Sequence, residues 1–276
     1  MKKDKIIVLD TETTGLDPYG ISREKDEILQ LSIINEEGIV LFNNYFRPEH
    51  KTEWKETEEI HGISPNFVTD KLPLSYYIDE IQTIIDNADA IIGYNLELDK
   101  QFLGEKGIFL DNKIIIDVAE AYAEFYGDWN DRFRSYKMKK LEEVAKAYNF
   151  DFDSFDMRCH DSLADCFLTL YCYQNVRSDV IAMWHDKFNE KIERIISNFD
   201  SEVNGEIIET LIKEALHVDC ESFHDFETNV GYQDWMEAFS IDDEELDCDA
   251  ISNLLERIYS ECEELRAISM KEEIWE

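Results

Sequence analysis

Two acids two positions apart, Asp10 and Glu12, close the apolar run in "IIVLDTETTGL" (residues 6–16). Alternate residues of a strand point the same way, so both carboxylates would leave one face. Carboxylates that close repel each other unless a cation lies between them. With 63 acids in 276 residues, however, such a pair is also what any solvated strand end would show. A second acid, Asp99, stands in "AIIGYNLELDKQFL" (90–103) between Leu98 and Phe102. Facing the core it would need a partner; an exposed helical acid fits the same letters. The third stretch, "RCHDSLADCFLTL" (158–170), carries His160 and Asp165. Five residues apart in one helix they would diverge by roughly 140°. If both face one site, His160 must lie on the loop before the helix and Asp165 inside it. A loop histidine able to approach a water suits a general base, although a lone histidine there is more often a surface residue.

Taken together, "VLDTETTGL", "GYNLELDKQFL" and "HDSLAD" resemble, in order and spacing, the three motifs of the DEDDh 3′–5′ exonucleases. This is the DnaQ-like group that includes polymerase proofreading subunits. "ETEEIHGISPNFV" (56–68) resembles the same family's His-Gly-Ile segment, and the likeness covers residues 5 to about 176. The resemblance implies an RNase H-like fold, with Asp10, Glu12, Asp99 and Asp165 as ligands of two divalent metal ions and His160 as the base. Hard ions such as Mg²⁺ or Mn²⁺ prefer oxygen ligands. A pair of them ~3.5–4 Å apart can serve both the attacking water and the leaving 3′ oxygen. The product would be a nucleoside 5′-monophosphate. The related subclass with tyrosine in place of the histidine is disfavoured, because Asp161 stands four before Asp165. By the same resemblance Thr13, Thr14, Gly15 and Leu16 would meet the terminal nucleotide, with Leu16 against its base, and Asn95 joins the substrate contacts. Leu16 packed in the core is the plain alternative. Tyr94 and Leu98 depart from the family's usual histidine and phenylalanine, at positions that are not ligands.

The elements that must position these residues follow from periodicity. Residues 5–10, 27–35 and 38–46 read as strands, the last two joined by a turn at 35–38, which gives an antiparallel meander. Residues 74–88 place Ile78, Ile81, Ile84 and Ile85 at helical spacing, with Ser75 as the cap. A strand over 89–95, an Asn-initiated helix over 96–107 and a strand over 113–118 come next. Helices over 137–150 and 160–176 complete an α/β fold, a mixed sheet flanked by helices. Beyond residue 178 the strand signals stop, and helical patterns run over 180–199, 206–217 and 250–269. The expected organisation is an exonuclease domain over 1–177 and an all-α acidic domain over 178–276.

Charge sets a problem for any nucleic-acid partner. Net charge is -36, and residues 178–276 hold 28 acids against 7 bases. Phosphate affinity comes largely from Lys and Arg. The densest basic stretch, "DRFRSYKMKK" (131–140), offers Arg132, Arg134, Lys137, Lys139 and Lys140 for backbone contact, unless it is only a solvated helix start. Repulsion elsewhere predicts weak binding with a short footprint, favouring single-stranded DNA or RNA 3′ ends. The acidic region could instead dock a basic protein partner. A second class of function therefore stands beside the enzyme: an acidic interaction or nucleic-acid-mimic protein on an exonuclease scaffold. No apolar run approaches the ~20 residues of a membrane span, no signal-type segment is evident, and a cytoplasmic protein is expected. Six scattered cysteines predict reduced thiols. His217, Cys220 and His224 share a helical face, which reads more simply as apolar packing than as a zinc site.

Overall fold

Ile6–Thr13 forms β1, whose apolar first half (Ile7, Val8, Leu9) is buried on both faces of a sheet. In this computed structural model the described residues are 5–21, 24–154, 160–199, 205–216, 222–223, 226 and 248–275. β2 (Ile28–Asn35) and β3 (Val40–Tyr45) complete an antiparallel meander with β1. Gly38, at φ 78, closes the turn between them, where a side chain would be strained. On its other edge β1 pairs in parallel with β4 (Ala90–Gly93), and β4 with β5 (Ile114–Asp117). The five-stranded order is β3-β2-β1-β4-β5.

Short helices α1 (Lys55–His61), α2 (Pro65–Val68) and α3 (Ile78–Asp86) connect β3 to β4. α4 (Glu97–Glu105) lies between β4 and β5, and α5 (Val118–Tyr126) follows β5 directly. Then come a two-stranded hairpin, β6 (Trp129–Asn130) with β7 (Ser135–Tyr136), and α6 (Leu141–Ala147). α7 is a single helix, Ser162–Phe199. The main core packs Ile7, Leu9, Leu31 and Ile33 of the sheet against Ile81, Ile85, Phe102 and Leu103 of α3 and α4. Each such side chain contributes about 1.5–3 kcal/mol on full burial.

The chain divides into two units, Met1–Ser178 and Asp179–Glu276. The second unit has its own apolar core. Ile195 and Phe199 of α7 pack with Ile208, Leu211 and Ile212 of α8 (Gly205–Ala215) and with Leu255, Ile258 and Leu265 of α9 (Cys248–Trp275). Cys166 and Cys172 are free and buried, and Cys262 is buried. Among the described residues no helix is long and apolar enough to cross a membrane. His217, Cys220 and His224 lie outside the described residues.

Several local expectations change. β1 runs three residues past Asp10, so Glu12 sits within the strand instead of beyond its end. Ser75 does not cap α3: it lies in a 3-10 turn, Leu74–Tyr76, and its hydroxyl donates to Glu49 (3.3 Å). Nor does Asn95 start α4. It adopts φ 60, and the Asp117 carboxylate takes over, accepting the N–H groups of Asn95 (3.0 Å) and Leu96 (2.7 Å). The helical patterns over 160–176 and 180–199 are one helix, because no breaker interrupts them. The basic stretch 131–140 is the β6–β7 turn and the lead into α6, not a helix start.

Candidate active site

A polar stripe crosses one face of the meander. Strand register sets Glu12 beside Gln30 and Gln30 beside Tyr45; one step along, Asp10 lies beside Ser32 and Ser32 beside Asn43. Period-two alternation puts all six on the same face. The start of α7 docks onto this stripe. Ser32 and Ser162 hydroxyls are 2.6 Å apart, and Ser162 N–H donates to Gln30 Oε1 at 3.2 Å. Asp161 fixes the helix in two directions. Its Oδ1 accepts the N–H groups of Leu163 (3.1 Å) and Ala164 (3.4 Å), the N-cap role. Its Oδ2 accepts from the Tyr45 hydroxyl (2.6 Å) and from Gln30 Nε2 (3.2 Å).

This docking delivers Asp165 to the strand acids. Ligand atoms of Glu12, His160 and Asp165 all lie within 4.8 Å of one another, a grouping able to hold a metal ion. His160 is on the loop before α7, as its spacing predicts, with φ 62. That left-handed turn folds its N–H back onto the Asp165 carboxylate (3.2 and 3.4 Å). The half-exposed ring sits with Nδ1 4.0 Å from Asp165 Oδ2 and Nε2 3.5 Å from Glu142 Oε1 on α6. Asp99 arrives from the other side. β4 pairs with β1 only through Val8, and further along the strand Asp99 accepts from Thr11 N–H (3.0 Å) and the Thr11 hydroxyl (2.6 Å).

Electrostatics show how tightly the acids converge. Burial, then the charges of Asp99, Asp165, Glu12 and Asp161, push the Asp10 carboxyl well above the usual carboxylate range. Burial lifts Asp99 to about 7, despite the opposing hydrogen bonds from Thr11. Asp165 is likewise lifted to about 7 by burial, with Glu142 and Asp161 adding to it and the His160 N–H opposing. The largest charge effects on Asp10 thus all come from other acids. An all-oxygen set of this kind, frustrated without a cation, fits a hard divalent ion.

The turn after β1 is braced from behind. Thr14 is buried; its hydroxyl donates to Asp26 Oδ1 (3.0 Å) and accepts from Glu27 N–H (2.9 Å). Thr13 bonds the Gly15 carbonyl (2.7 Å). A Cβ on Gly15 would fall 2.2 Å from Asp26 Oδ2, so a larger residue there would displace the brace. Leu16 is not in the core: it is 76% exposed, beside a cavity of about 720 Å³ lined also by Asp17, Lys51, Trp54, Lys55 and Ile60. His61, in the His-Gly-Ile segment, is buried against the Thr13 carbonyl (3.2 Å). Asn95 is exposed on the turn before α4. Arg132 and Arg134 are exposed at the β6–β7 turn, whereas Lys137 is paired with Asp128 (2.9 Å). Neither arginine is brought into contact with the carboxylates. Tyr94, the departure from the family pattern, donates to the Lys139 carbonyl (2.6 Å) and pins the lead into α6.

Sequence reading missed the supporting residues Thr11, Gln30, Ser32, Asn43, Tyr45 and Asp161, and also Glu142. Gln30 and Ser32, two apart in an otherwise apolar strand, were the available signal for the stripe.

The fold is a mixed five-stranded sheet flanked by helices. The sequence matches the family model described as Exonuclease (RNase_T) over residues 7–173, and the chain belongs to that family. It is 33% identical over 108 residues to DNA polymerase III subunit epsilon of Buchnera aphidicola subsp. Baizongia pistaciae, covering 37% of this chain and 43% of that one. To the 3′-5′ exonuclease DinG of Bacillus subtilis it is 27% identical over 150 residues, covering 52% of this chain and 15% of that one. The metal-free form of the E. coli ExoI–ssDNA complex shares the fold, with TM-score 0.51 and 16% identity over 73% of this chain and 45% of that one. The chain spans less than half the length of these curated relatives.

Proposed function

We propose that residues 1–177 form a metal-dependent 3′–5′ exonuclease domain. It would hydrolyse the terminal phosphodiester of single-stranded DNA, and of RNA less readily, releasing nucleoside 5′-monophosphates. One observation carries the proposal: Glu12 of β1 and His160 and Asp165 at the start of α7 bring ligand atoms within 4.8 Å of one another, while Asp99 of α4 is hydrogen-bonded to Thr11, between Asp10 and Glu12. Asp10, Glu12, Asp99 and Asp165 would hold two divalent ions, Mg²⁺ or Mn²⁺. When bound, such ions lower the pKa of a water and stabilise charge on the leaving oxygen.

The chain's own residues do the rest. His160, half-exposed on a loop and flanked by Asp165 and Glu142, accepts the proton of the attacking water at Nε2 or Nδ1. The resulting imidazolium is stabilised by those two carboxylates. The Gly15 backbone and the exposed Leu16 side chain flank the cavity before α1, which has room for a terminal nucleoside. Asp161 keeps Asp165 in register by locking the first turn of α7.

Release of nucleotide from 3′-labelled single strands tests the reading, with Mg²⁺, with Mn²⁺ and with chelator. Metal-dependent release by the wild type, lost in Asp165→Ala, is expected. Equal release by both proteins, or none by either, would sink it and favour a scaffold that only binds partners. For residues 178–276 we propose an acidic helical domain that docks a basic protein surface.

A further inference from the structure

The β6–β7 hairpin presents large side chains to solvent. Trp129 is 48% exposed and Phe133 67% exposed, on a chain segment that also presents Arg132 and Arg134 to solvent. Among the described residues neither arginine forms an ion pair, in a chain with 63 acids and 27 bases. Isolated exposed aromatics are ordinary; two of them interleaved with unpaired guanidinium groups on one hairpin are not.

The aromatics are also held in place. Trp129 stands across the ladder from Tyr136, ring centroids 5.1 Å apart edge to face, and its Nε1 donates to Asp131 (3.1 Å). The Arg132 guanidinium lies 5.3 Å over the Phe133 ring. Asn130 accepts the Arg132 N–H (3.1 Å) and its carbonyl accepts the Phe133 N–H (3.2 Å), which shapes the tip. Lys137 N–H continues the ladder to the Asp128 carbonyl (2.8 Å). From Lys137 the chain runs directly into α6, where Glu142 lies 3.5 Å from His160. Five residues can span at most ~17 Å, so the hairpin's base lies no farther than that from Glu142, a length a few nucleotides of single strand can bridge.

We propose that this hairpin is a stacking platform for single-stranded nucleic acid upstream of the 3′ terminus. Trp129 and Phe133 take successive bases face to face, and Arg132 and Arg134 take the phosphates between them. Stacking of this kind is tolerant of base identity, and the arginines supply the local positive charge that the chain otherwise lacks. The proposal rests on the single-strand reading above, and it replaces a short footprint with one several nucleotides long.

The test compares the wild type with Arg132→Glu/Arg134→Glu and with Trp129→Ala/Phe133→Ala, each checked for an unchanged melting temperature. The quantity read is the gain in kcat/KM from a dinucleotide to a twelve-nucleotide single strand. That gain should fall about tenfold in either double variant. In the arginine variant the log–log salt slope of strand binding should flatten by about 1.4, two phosphates at ~0.7 each. A gain that survives in both variants overturns the platform and leaves the hairpin to a protein partner. Anisotropy of a labelled twelve-nucleotide strand on Asp165→Ala protein, with and without the hairpin changes, separates the two readings. Tenfold weaker binding in the hairpin variants upholds the platform even if no wild-type hydrolysis is found. Equal binding with intact hydrolysis refutes the platform and leaves the exonuclease reading standing.

Discussion

A lone buried carboxylate and a cluster of acids lie within one unit, and their surroundings are opposite. Glu27 is 2% exposed, yet it accepts the N–H groups of Glu49, His50 and Lys51, each at 2.9 Å, with Lys106 3.6 Å away. Burial works against its charge, but those three N–H groups and Lys106 outweigh it and hold the carboxyl below its ordinary value. Asp99 is buried and Asp10 and Asp165 are half-buried, all three among acids, and their proton affinity rises. The first acid shapes a loop and is complete as it stands. The second group is complete only when something positive arrives. What sets the candidate site apart is therefore not burial of an acid but crowding with other acids.

The comparison breaks most sharply on a substitution that removes charge and keeps shape. Asp10→Asn should lower strand hydrolysis on the order of 10³-fold or more. In chelator the same variant should gain about 1–2 kcal/mol of stability, the trade expected where a site is held against its own repulsion. Glu27→Gln should do the reverse. It leaves backbone N–H groups facing an amide and should cost about 3 kcal/mol, or roughly 6–12 °C of Tm. Denaturant unfolding and an activity assay on both variants decide the matter. If Asp10→Asn is destabilised as much as Glu27→Gln, the acids of the site are not frustrated.

A pH series sharpens the difference. Raised carboxyls keep protons in the folded chain that the unfolded chain releases, so metal-free stability falls as pH climbs from about 4 to 7. The advantage of Asp10→Asn over wild type in chelator should accordingly widen by about 1 kcal/mol or more between pH 5 and pH 8. Millimolar Mg²⁺ should close that gap by stabilising the wild type. Glu27 has the opposite sign. Its contribution is complete above the ordinary value of 4.5 and is lost as pH falls through its lower folded value. The penalty of Glu27→Gln should fade in acid. A gap for Asp10→Asn that does not vary with pH would refute the electrostatic account.

The residues proposed to carry the chemistry stood out because each motif is local: Asp10 and Glu12 share a strand, and His160 lies on the loop that leads into the helix of Asp165. The meander was legible from alternation and from the turn at Gly38. What holds the site together was not, because it is a matter of register. Gln30, Ser32, Asn43 and Tyr45 become a stripe only once three strands are aligned. Asp161 read as the residue that excludes a tyrosine subclass, while its two carboxylate oxygens in fact join helix to sheet. Asn95 failed as a cap for a similar reason: Asp117, 22 residues on, reaches back to do the work. Long-range hydrogen bonds leave no periodic trace in a sequence.

The smallest expected effect concerns strain instead of charge. His160 holds φ 62, a conformation that costs a residue with a Cβ about 1 kcal/mol. Glycine adopts it freely. His160→Gly and His160→Ala both remove the imidazole, so both should lose hydrolysis alike. They differ only in the backbone, and the glycine variant should be the more stable by about 0.5–1 kcal/mol. Greater stability in the alanine variant would mean that the loop relaxes freely and that the turn onto Asp165 is not imposed. The expected order would place backbone strain beside charge repulsion in the same few residues, where the Glu27 region carries neither.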